Sequence, residues 1–119
     1  MLRVPLIISV PGSKAGRSKS IVELMDLFPT LSELAGLRIP KTLQGVSLAP
    51  ILADKSATVK ESALSFVSAG ISMRSKDWTF TRYADGSEEL YDMSKDRGPF
   101  TNLGTDSKFR SVLKKHRPP

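Results

Sequence analysis

Few side chains in this sequence are of the types that most often carry out nucleophilic or metal chemistry. The chain has no cysteine, which excludes a thiolate nucleophile, a disulfide and a cysteine-ligated zinc site. Its single histidine, His116, excludes a metal site built from several histidines. His116 follows two lysines near the end of a basic terminal helix, where an interaction with the helix dipole is favoured over proton transfer.

The chain carries a formal net charge of +6 that is concentrated at its two ends. Residues 1–20 contain four bases and no acid, and residues 105–119 contain five bases and one acid. Such ends could contact an anionic polymer by electrostatic attraction. No aromatic platform is interleaved with these bases, as single-stranded nucleic acid would require for stacking. The pattern therefore favours solvated basic ends, and it makes nucleic acid an unfavoured partner.

The first half of the chain predicts one buried strand and two helices. The run RVPLIISVPG, residues 3–12, is apolar on both faces and closed by Pro-Gly, which is typical of a strand inside a parallel or mixed sheet. In the stretch SIVELMDLFPTLSELAGL, Asp26 as N-cap places Pro29 at the third helical position, where its missing amide has no intrahelical partner. The apolar face of this helix is then formed by Leu27, Leu31 and Leu34, and its end is marked by Gly36.

A second, shorter helix is predicted in SLAPILAD, with Ser47 as N-cap and Pro50 again at the third helical position. From Ser62 onward, β-branched, aromatic and hydroxyl residues dominate, and the segments SALSFVSAGISMRS, DWTFTRY and EELYDM predict three antiparallel strands. Turn signals lie at residues 76–77 and 85–86. A terminal helix capped by Asp106 follows, and its predicted inward side chains are Phe109, Val112 and Leu113.

These elements predict an α/β chain in two parts, residues 1–60 with the strand and two helices, and residues 61–119 with the small antiparallel sheet and the terminal helix. No run approaches the roughly 18 apolar residues of a transmembrane helix, so no membrane partner is predicted. Nothing near Met1 resembles a signal peptide, and the sequence leaves the compartment open.

Three segments of the chain resemble, in order and spacing, the C-terminal part of the type I sulfatases, which belong to the alkaline-phosphatase-like superfamily. They are RVPLIISVPG, then DLFPTLSELAGL with LQGVSLAPIL, and finally RSKDWTFTRYADGSEELYDM with DRGPFTNL. The iduronate-2-sulfatase-like and arylsulfatase branches are the nearest in style. The resemblance covers almost the whole chain, and it implies that residues 1–60 are the last part of the large α/β domain and residues 61–119 its C-terminal subdomain. One departure is the run from Asp96 to Pro99, where Pro99 replaces an expected glutamate.

The resemblance implies hydrolysis of sulfate esters by a formylglycine, made from Cys or Ser in a Cys/Ser-x-Pro-x-Arg motif, with a calcium ion beside it. The nearest match, SVPGS at residues 9–13, has Ser13 in place of the arginine and ends the predicted strand, so we reject it. No pair of aspartates followed by Asn or Gln suggests the calcium site, and the family's catalytic Lys and His would precede Met1. We therefore expect no catalytic residue, metal ligand or cofactor in this chain, and no activity of the chain alone; calcium and formylglycine are expected in the full-length family member.

Substrate contact is the role that the resemblance leaves for this chain. Arg74, Lys76 and Arg82 are the predicted substrate-binding residues, through charge-assisted hydrogen bonds to a sulfated or uronate sugar. The alternative is that these bases pair with acids on neighbouring strands, namely Glu88, Glu89 or Asp92. The predicted partners are a sulfate-ester or sulfated-glycan substrate and the remaining N-terminal part of the sulfatase domain. The candidate substrates are sulfated polysaccharides such as glycosaminoglycans.

Two other functions stay open at this point. One is a basic binding module for anionic polymers that uses the charged ends of the chain. The other is a fragment of a related phosphate or phosphonate ester hydrolase, because the nucleophile that distinguishes these chemistries is expected outside this portion. In either case, residues 4–10 would expose an apolar edge if they lack sheet neighbours.

Overall fold

The computed structural model describes residues 4–67, 69–95, 98 and 101–117. Its chain divides into two units: the first takes residues up to 20 together with residues 24–59, and the second takes residues 21–23 together with the chain from residue 60 onward. The departure predicted from Asp96 to Pro99 lies outside the described residues, apart from residue 98. None of the helices in the described chain is long and apolar enough to cross a membrane.

The first helix begins where the Asp-x-x-Pro pattern predicted. A 3-10 turn, Leu24–Asp26, leads into helix α1, Leu27–Leu34, with Asp26 as N-cap and Pro29 at the third helical position. The proline removes no hydrogen bond there, because the first amides of a helix have no intrahelical acceptor. At the other end, Gly36 takes a φ of 68° and donates its amide to a carbonyl of the last turn, which ends the helix.

The apolar face predicted for α1 is exposed in the first unit. Leu31 is 63% exposed and Leu34 is 43% exposed, and the neighbouring Phe28 is 59% exposed. The buried side of the helix carries instead the polar residues Thr30 and Ser32. The helix is therefore fixed within its unit by polar contacts, while much of its apolar surface faces solvent.

Helix α2, Ala49–Ala53, begins one residue later than predicted. Its N-cap is Leu48 rather than Ser47, and Pro50 takes the second helical position rather than the third. The carbonyl of Leu48 accepts the amide of Ile51 at 2.9 Å, so the hydrogen bonds of the first turn start at Leu48. The side chains of Leu48 and Ile51 are both buried.

Residues 4–10 form no strand, so the prediction of a buried strand there is wrong for this chain by itself. Val4 is 60% exposed and Ile7 is 92% exposed. A strand needs hydrogen-bonded neighbours to satisfy its amides and carbonyls, and no part of the described chain pairs with residues 4–10. The apolar side chains of this run therefore have no neighbouring strand within the described residues.

The second unit contains a four-stranded antiparallel sheet, where the sequence predicted three strands. Its strands are adjacent in chain order: β1, Ser62–Val67; β2, Gly70–Ser75; β3, Trp78–Tyr83; and β4, Glu88–Asp92. The segment predicted as one strand folds as a hairpin in which Val67 pairs with Gly70. A Cβ added to Gly70 would lie 2.1 Å from the carbonyl oxygen of Arg82, so this close approach of β2 to β3 requires glycine.

Helix α3, Arg110–His116, covers one face of this sheet. A 3-10 turn, Ser107–Phe109, precedes it, and Asp106 caps that turn by accepting the amide of Lys108 at 2.9 Å. The buried core consists of Phe80, Leu90 and Leu113, and the partly buried side chains packed against it are Met73, Trp78, Leu103, Phe109 and Val112. The predicted terminal helix, its cap and its inward face are therefore confirmed.

Candidate functional site

The sheet of the second unit has a polar face, opposite the face that α3 covers. Met73, Phe80 and Leu90 are cross-strand neighbours on the covered side. Side chains alternate along each strand, so the residues between these lie on the other side. The register places the following side chains together there, and we call them the polar face: Ser72, Arg74, Thr79, Thr81, Tyr83, Glu89 and Tyr91.

Hydrogen bonds between neighbouring strands link the side chains of the polar face. The hydroxyl oxygens of Ser72 and Thr81 are 3.2 Å apart, and either can donate. Arg74 Nη1 donates to Thr79 Oγ1 at 2.8 Å, and Thr79 is only 8% exposed. Because a buried hydroxyl on β3 holds this guanidinium, Arg74 has a defined position rather than that of a flexible surface side chain.

The three predicted substrate-binding residues do not share one side of the sheet. Arg74 lies on the polar face, and Lys76 is exposed in the turn that joins β2 to β3. Arg82 is the cross-strand neighbour of Ile71 and Glu88, which puts it on the side that α3 covers. Arg74 and Arg82 therefore cannot contact one ligand from one face of the sheet.

The alternative, in which the bases pair with acids across the sheet, is not seen for Arg82. Its neighbour Glu88 is bound by the guanidinium of Arg117 instead, with Nε and Nη2 donating to the two carboxylate oxygens at 2.9 and 2.7 Å. This two-bond geometry is the strong form of an arginine–carboxylate pair. The contact raises the pKa of Arg117 above its ordinary value, first through the hydrogen bond to Glu88 and then through its charge.

Tyr83 donates its hydroxyl to Glu89 Oε2 at 2.9 Å. This hydrogen bond raises the pKa of the Tyr83 phenol, and burial and the charge of Glu89 act in the same direction. The phenol is therefore a hydrogen-bond donor at neutral pH and not a base. Beside it is an open depression of about 460 Å³ lined by Ala69, Tyr83, Ala84, Asp85 and Ser87. With one carboxylate and no base, that depression does not suit an anionic ligand.

Three aspartates of the described chain have pKa values lowered by the same local arrangement. In each case the serine two positions later donates both its hydroxyl and its amide to one carboxylate oxygen, and the hydroxyl bond is the largest cause of the lowered pKa. The pairs are Asp54 with Ser56, Asp85 with Ser87 and Asp92 with Ser94. These carboxylates stabilise turns, and the hydrogen bonds of the turns account for their lowered pKa values.

A calcium site of the kind that the resemblance implies does not fit the described residues. Among them, no three His, Asp or Glu side chains come together in a way that could hold a metal ion. We therefore derive no chemical step through calcium or formylglycine for this chain.

His116 is buried, which sequence reasoning missed. It is 6% exposed and not part of a frayed helix end. Its Nδ1 lies 2.8 Å from the carbonyl oxygen of Val112, which can only accept a hydrogen bond, so Nδ1 carries the proton in the neutral ring. In that form Nε2 accepts a hydrogen bond from the hydroxyl of Ser75 at 2.9 Å. The helical spacing of His116 from Phe109 and Val112 was the available signal for this burial. Its role is to attach α3 to β2.

Comparisons with known proteins agree on the class of this chain. The Delta 4,5-hexuronate-2-O-sulfatase of Bacteroides thetaiotaomicron is 37% identical over 132 residues, which cover 98% of this chain and 27% of that protein. The solved structure of a 2-O GAG sulfatase is 34% identical with a TM-score of 0.66, and the match covers 77% of this chain and 22% of that one. The phosphonate monoester hydrolase of Silicibacter pomeroyi has a TM-score of 0.74 over 90% of this chain and 26% of its own, but at 24% identity it shows a shared fold alone.

This chain corresponds to only one part of the larger proteins that it matches. The chain spans about a quarter of the length of the relatives it matches. A family model described as N-sulphoglucosamine sulphohydrolase, C-terminal, matches residues 1–117. The predicted resemblance to the C-terminal part of sulfatases is thereby confirmed, and the chain belongs to the N-sulphoglucosamine sulphohydrolase C-terminal family of the sulfatases.

Proposed function

We propose that this chain is the C-terminal part of a sulfatase that removes sulfate esters from sulfated glycans. The observation that carries the proposal is the family match over residues 1–117, which agrees with the 34% identity to a solved 2-O GAG sulfatase. The nucleophile and the metal site belong, in this proposal, to the remaining N-terminal part of the sulfatase. The similarity to the phosphonate hydrolase concerns the fold and supports no second function.

The N-terminal part of the sulfatase is the partner that the first unit would contact through its exposed apolar side chains. Leu24, Phe28 and Leu31 are 62%, 59% and 63% exposed, and they follow one another at helical spacing. Full burial of one such side chain is worth about 1.5–3 kcal/mol, so a partner that covers them gains stability. The same partner would give residues 4–10 the sheet neighbours that they do not find among the described residues.

Substrate contact in the second unit is proposed for Arg74. It is the arginine of the polar face, and Thr79 holds its guanidinium in place. A guanidinium matches the geometry of sulfate and carboxylate oxygens, both of which a sulfated uronate presents. Lys76 would add a second charge from the adjoining turn, whereas Arg82 lies on the opposite side of the sheet and would not contact the same sugar.

A graft tests the proposed function. The C-terminal quarter of the Bacteroides sulfatase is replaced by this chain, and sulfate release from a Δ4,5-hexuronate 2-O-sulfate is measured. We expect the graft to release sulfate. Two controls should release none above a heat-inactivated sample: the Bacteroides sulfatase without its C-terminal quarter, and this chain alone. A graft that melts cooperatively but releases no sulfate would contradict the proposal.

A further inference from the structure

The loop that follows residue 10 is fixed against the end of helix α2. Its turn is closed by the amide of Ser13, which donates to the carbonyl of Val10 at 3.0 Å. The hydroxyl of Ser13 donates to the carbonyl of Leu52 at 3.3 Å, and Lys55 Nζ donates to the same oxygen at 2.6 Å. A carbonyl in the last turn of a helix has no intrahelical donor, which makes it a natural attachment point. The loop and Lys55 are therefore tied to one atom.

A second contact brings the loop backbone close to this lysine. A Cβ added to Gly16 would lie 3.0 Å from Cγ of Lys55, so the chain at Gly16 passes directly along the lysine stem. The cationic residues Lys14, Arg17 and Lys19 lie within three residues of Gly16. We call these three residues together with Lys55 the basic loop.

Three of the four charges of the basic loop are not neutralised within the described chain. Lys14, Arg17 and Lys19 are exposed, and among the described residues none of them has an ion-pair partner. Residues 11–22 contain no acid. The nearest acid in sequence to Lys55 is Asp54, whose carboxylate accepts hydrogen bonds from Ser56 and whose pKa the charge of Lys55 also helps to lower. Six residues span at most about 20 Å, so the positive charges lie within the reach of one short anionic chain.

We propose that the basic loop binds a sulfated glycan chain, so that the first unit holds the polymer in addition to any contact at Arg74. This inference rests on the proposed function for the choice of a glycan. Arginine and lysine form charge-assisted hydrogen bonds with sulfate oxygens, and a polyanion that binds several of them releases counterions. Residues 11–20 contain no aromatic side chain on which nucleic acid bases could stack, which favours a glycan over a single-stranded nucleic acid.

Two charge-matched variants of the full 119-residue chain test the inference. The first changes Lys14, Arg17 and Lys19 to Gln, and the control changes Lys108, Arg110 and Lys114, which are exposed in the second unit, to Gln. Each variant lowers the net charge from +6 by the same amount, so a difference between them reports the position of the charges. The probe is a short heparin oligosaccharide, with binding measured over a range of salt concentrations.

We expect the loop variant to bind heparin on the order of tenfold more weakly than the control at physiological salt. We also expect the slope of log affinity against log salt concentration to become shallower by about 0.7 for each lost contact. Equal affinity and equal slope of the two variants would overturn the proposal. A single-stranded oligonucleotide of matched charge that binds the unchanged chain more tightly than heparin would overturn the choice of a glycan.

A second measurement uses the unchanged chain and so does not depend on how the variants fold. Bound heparin oligosaccharide should protect Lys14, Lys19 and Lys55 from acetylation, while Lys108 and Lys114 keep their reactivity. Protection of the second pair instead would contradict the proposal. Neither measurement involves sulfate release, so a failure of the basic loop is distinguishable from a failure of the grafted enzyme.

Discussion

Thr30 joins two segments of the first unit through one hydroxyl. Its Oγ1 donates to the carbonyl of Asp26 and accepts the amide of Leu48 at 2.8 Å. The carboxylate of Asp26, which is fully buried, accepts the amide of Val46 at 2.9 Å. The segment from Val46 to Leu48 is outside any helix or strand. The side chains of Asp26 and Thr30 therefore accept amides of this segment that no helix or strand hydrogen bond satisfies.

Replacing Thr30 with Val keeps the shape of the side chain and removes both hydrogen bonds. We expect Thr30→Val to destabilise the first unit by about 1–3 kcal/mol, because the buried amide of Leu48 is left without an acceptor. Amide exchange at Leu48 and the thermal midpoint report the change. Thr42→Val, at an exposed position, is the matched control, and equal behaviour of the two variants would show that the Thr30 bonds contribute nothing.

Arg74 and Arg82 form a natural pair for testing substrate contact. In the grafted sulfatase we expect Arg74→Ala to raise the KM for the sulfated disaccharide about tenfold or more, since a hydrogen bond to a charged group is worth about 1.5–3 kcal/mol. Arg82→Ala removes the same charge from the other side of the sheet and should leave the KM nearly unchanged. Steady-state kinetics decide this, and equal effects of the two substitutions would remove Arg74 from the proposed site.

The pair formed by Tyr83 and Glu89 gives the polar face a measurable dependence on pH. The pKa of the phenol is raised above 10.0 chiefly by its hydrogen bond to Glu89, so the protonated form is the one that the fold favours. The stabilisation is complete below the unfolded pKa and is lost as the pH rises through the higher, folded-state pKa. We expect Glu89→Gln to lower the pKa of Tyr83, read from phenolate absorbance, and Glu33→Gln to leave it unchanged. An unaltered Tyr83 titration in Glu89→Gln would contradict the assignment.

At the scale of elements, local signals predicted those parts whose structure depends on nearby residues. The cap of the terminal helix at Asp106 and the hairpin turn at residues 85–86 are of this kind. Asp26 stands at the start of α1 as predicted, but its side chain makes no cap hydrogen bond there and accepts the distant amide of Val46 instead. The hairpin between β1 and β2 was missed because the reversal near Gly70 depends on the close approach of β3. Residues 4–10 were predicted as a strand because composition reports burial but not the presence of a partner.

The candidate site was predicted less well than the elements that carry it, for a related reason. Arg74 and Arg82 lie in the same β-rich stretch, and sequence spacing does not state which strands pair or in which register. A shift of one residue reverses the face of every side chain in a strand. The register of Arg74 with Thr79, and of Arg82 with Glu88, decides that the two arginines point to opposite sides. The polar hydroxyls at alternate positions of β3 were the visible part of this pattern.

Gly45 allows the segment before α2 to pass directly over the start of α1. A Cβ at this position would lie 2.2 Å from the carbonyl oxygen of Met25, which belongs to the backbone and cannot move aside alone. We expect Gly45→Ala to cost about 1–3 kcal/mol, as overpacking does in tight sites. Gly16→Ala is the control, because its Cβ would meet only the flexible stem of Lys55. Urea unfolding compares the two, and equal midpoints would contradict the required close approach.

At the scale of the whole molecule, both units leave large apolar side chains in solvent. In the first unit these include Ile7 and Leu31, at 92% and 63% exposure, and in the second Phe66, at 76%. Single exposed apolar residues are ordinary on protein surfaces. Here they accompany a strand-like run that pairs with no other part of the described chain. They also accompany a chain that spans about a quarter of the length of its relatives. The combination supports the proposal that further parts of a sulfatase cover these surfaces.

The proposal that this chain forms part of a larger sulfatase is tested by amide exchange of residues 4–10, compared between this chain alone and the graft on the Bacteroides sulfatase. In the chain alone these amides have no strand partner among the residues that the structure describes, so we expect them to exchange rapidly. In the graft we expect strong protection of the same amides, because the strand predicted from the sequence can then pair with a neighbour. Rapid exchange of residues 4–10 in a folded graft, or strong protection in the chain alone, would contradict the central claim that this chain completes a larger sulfatase.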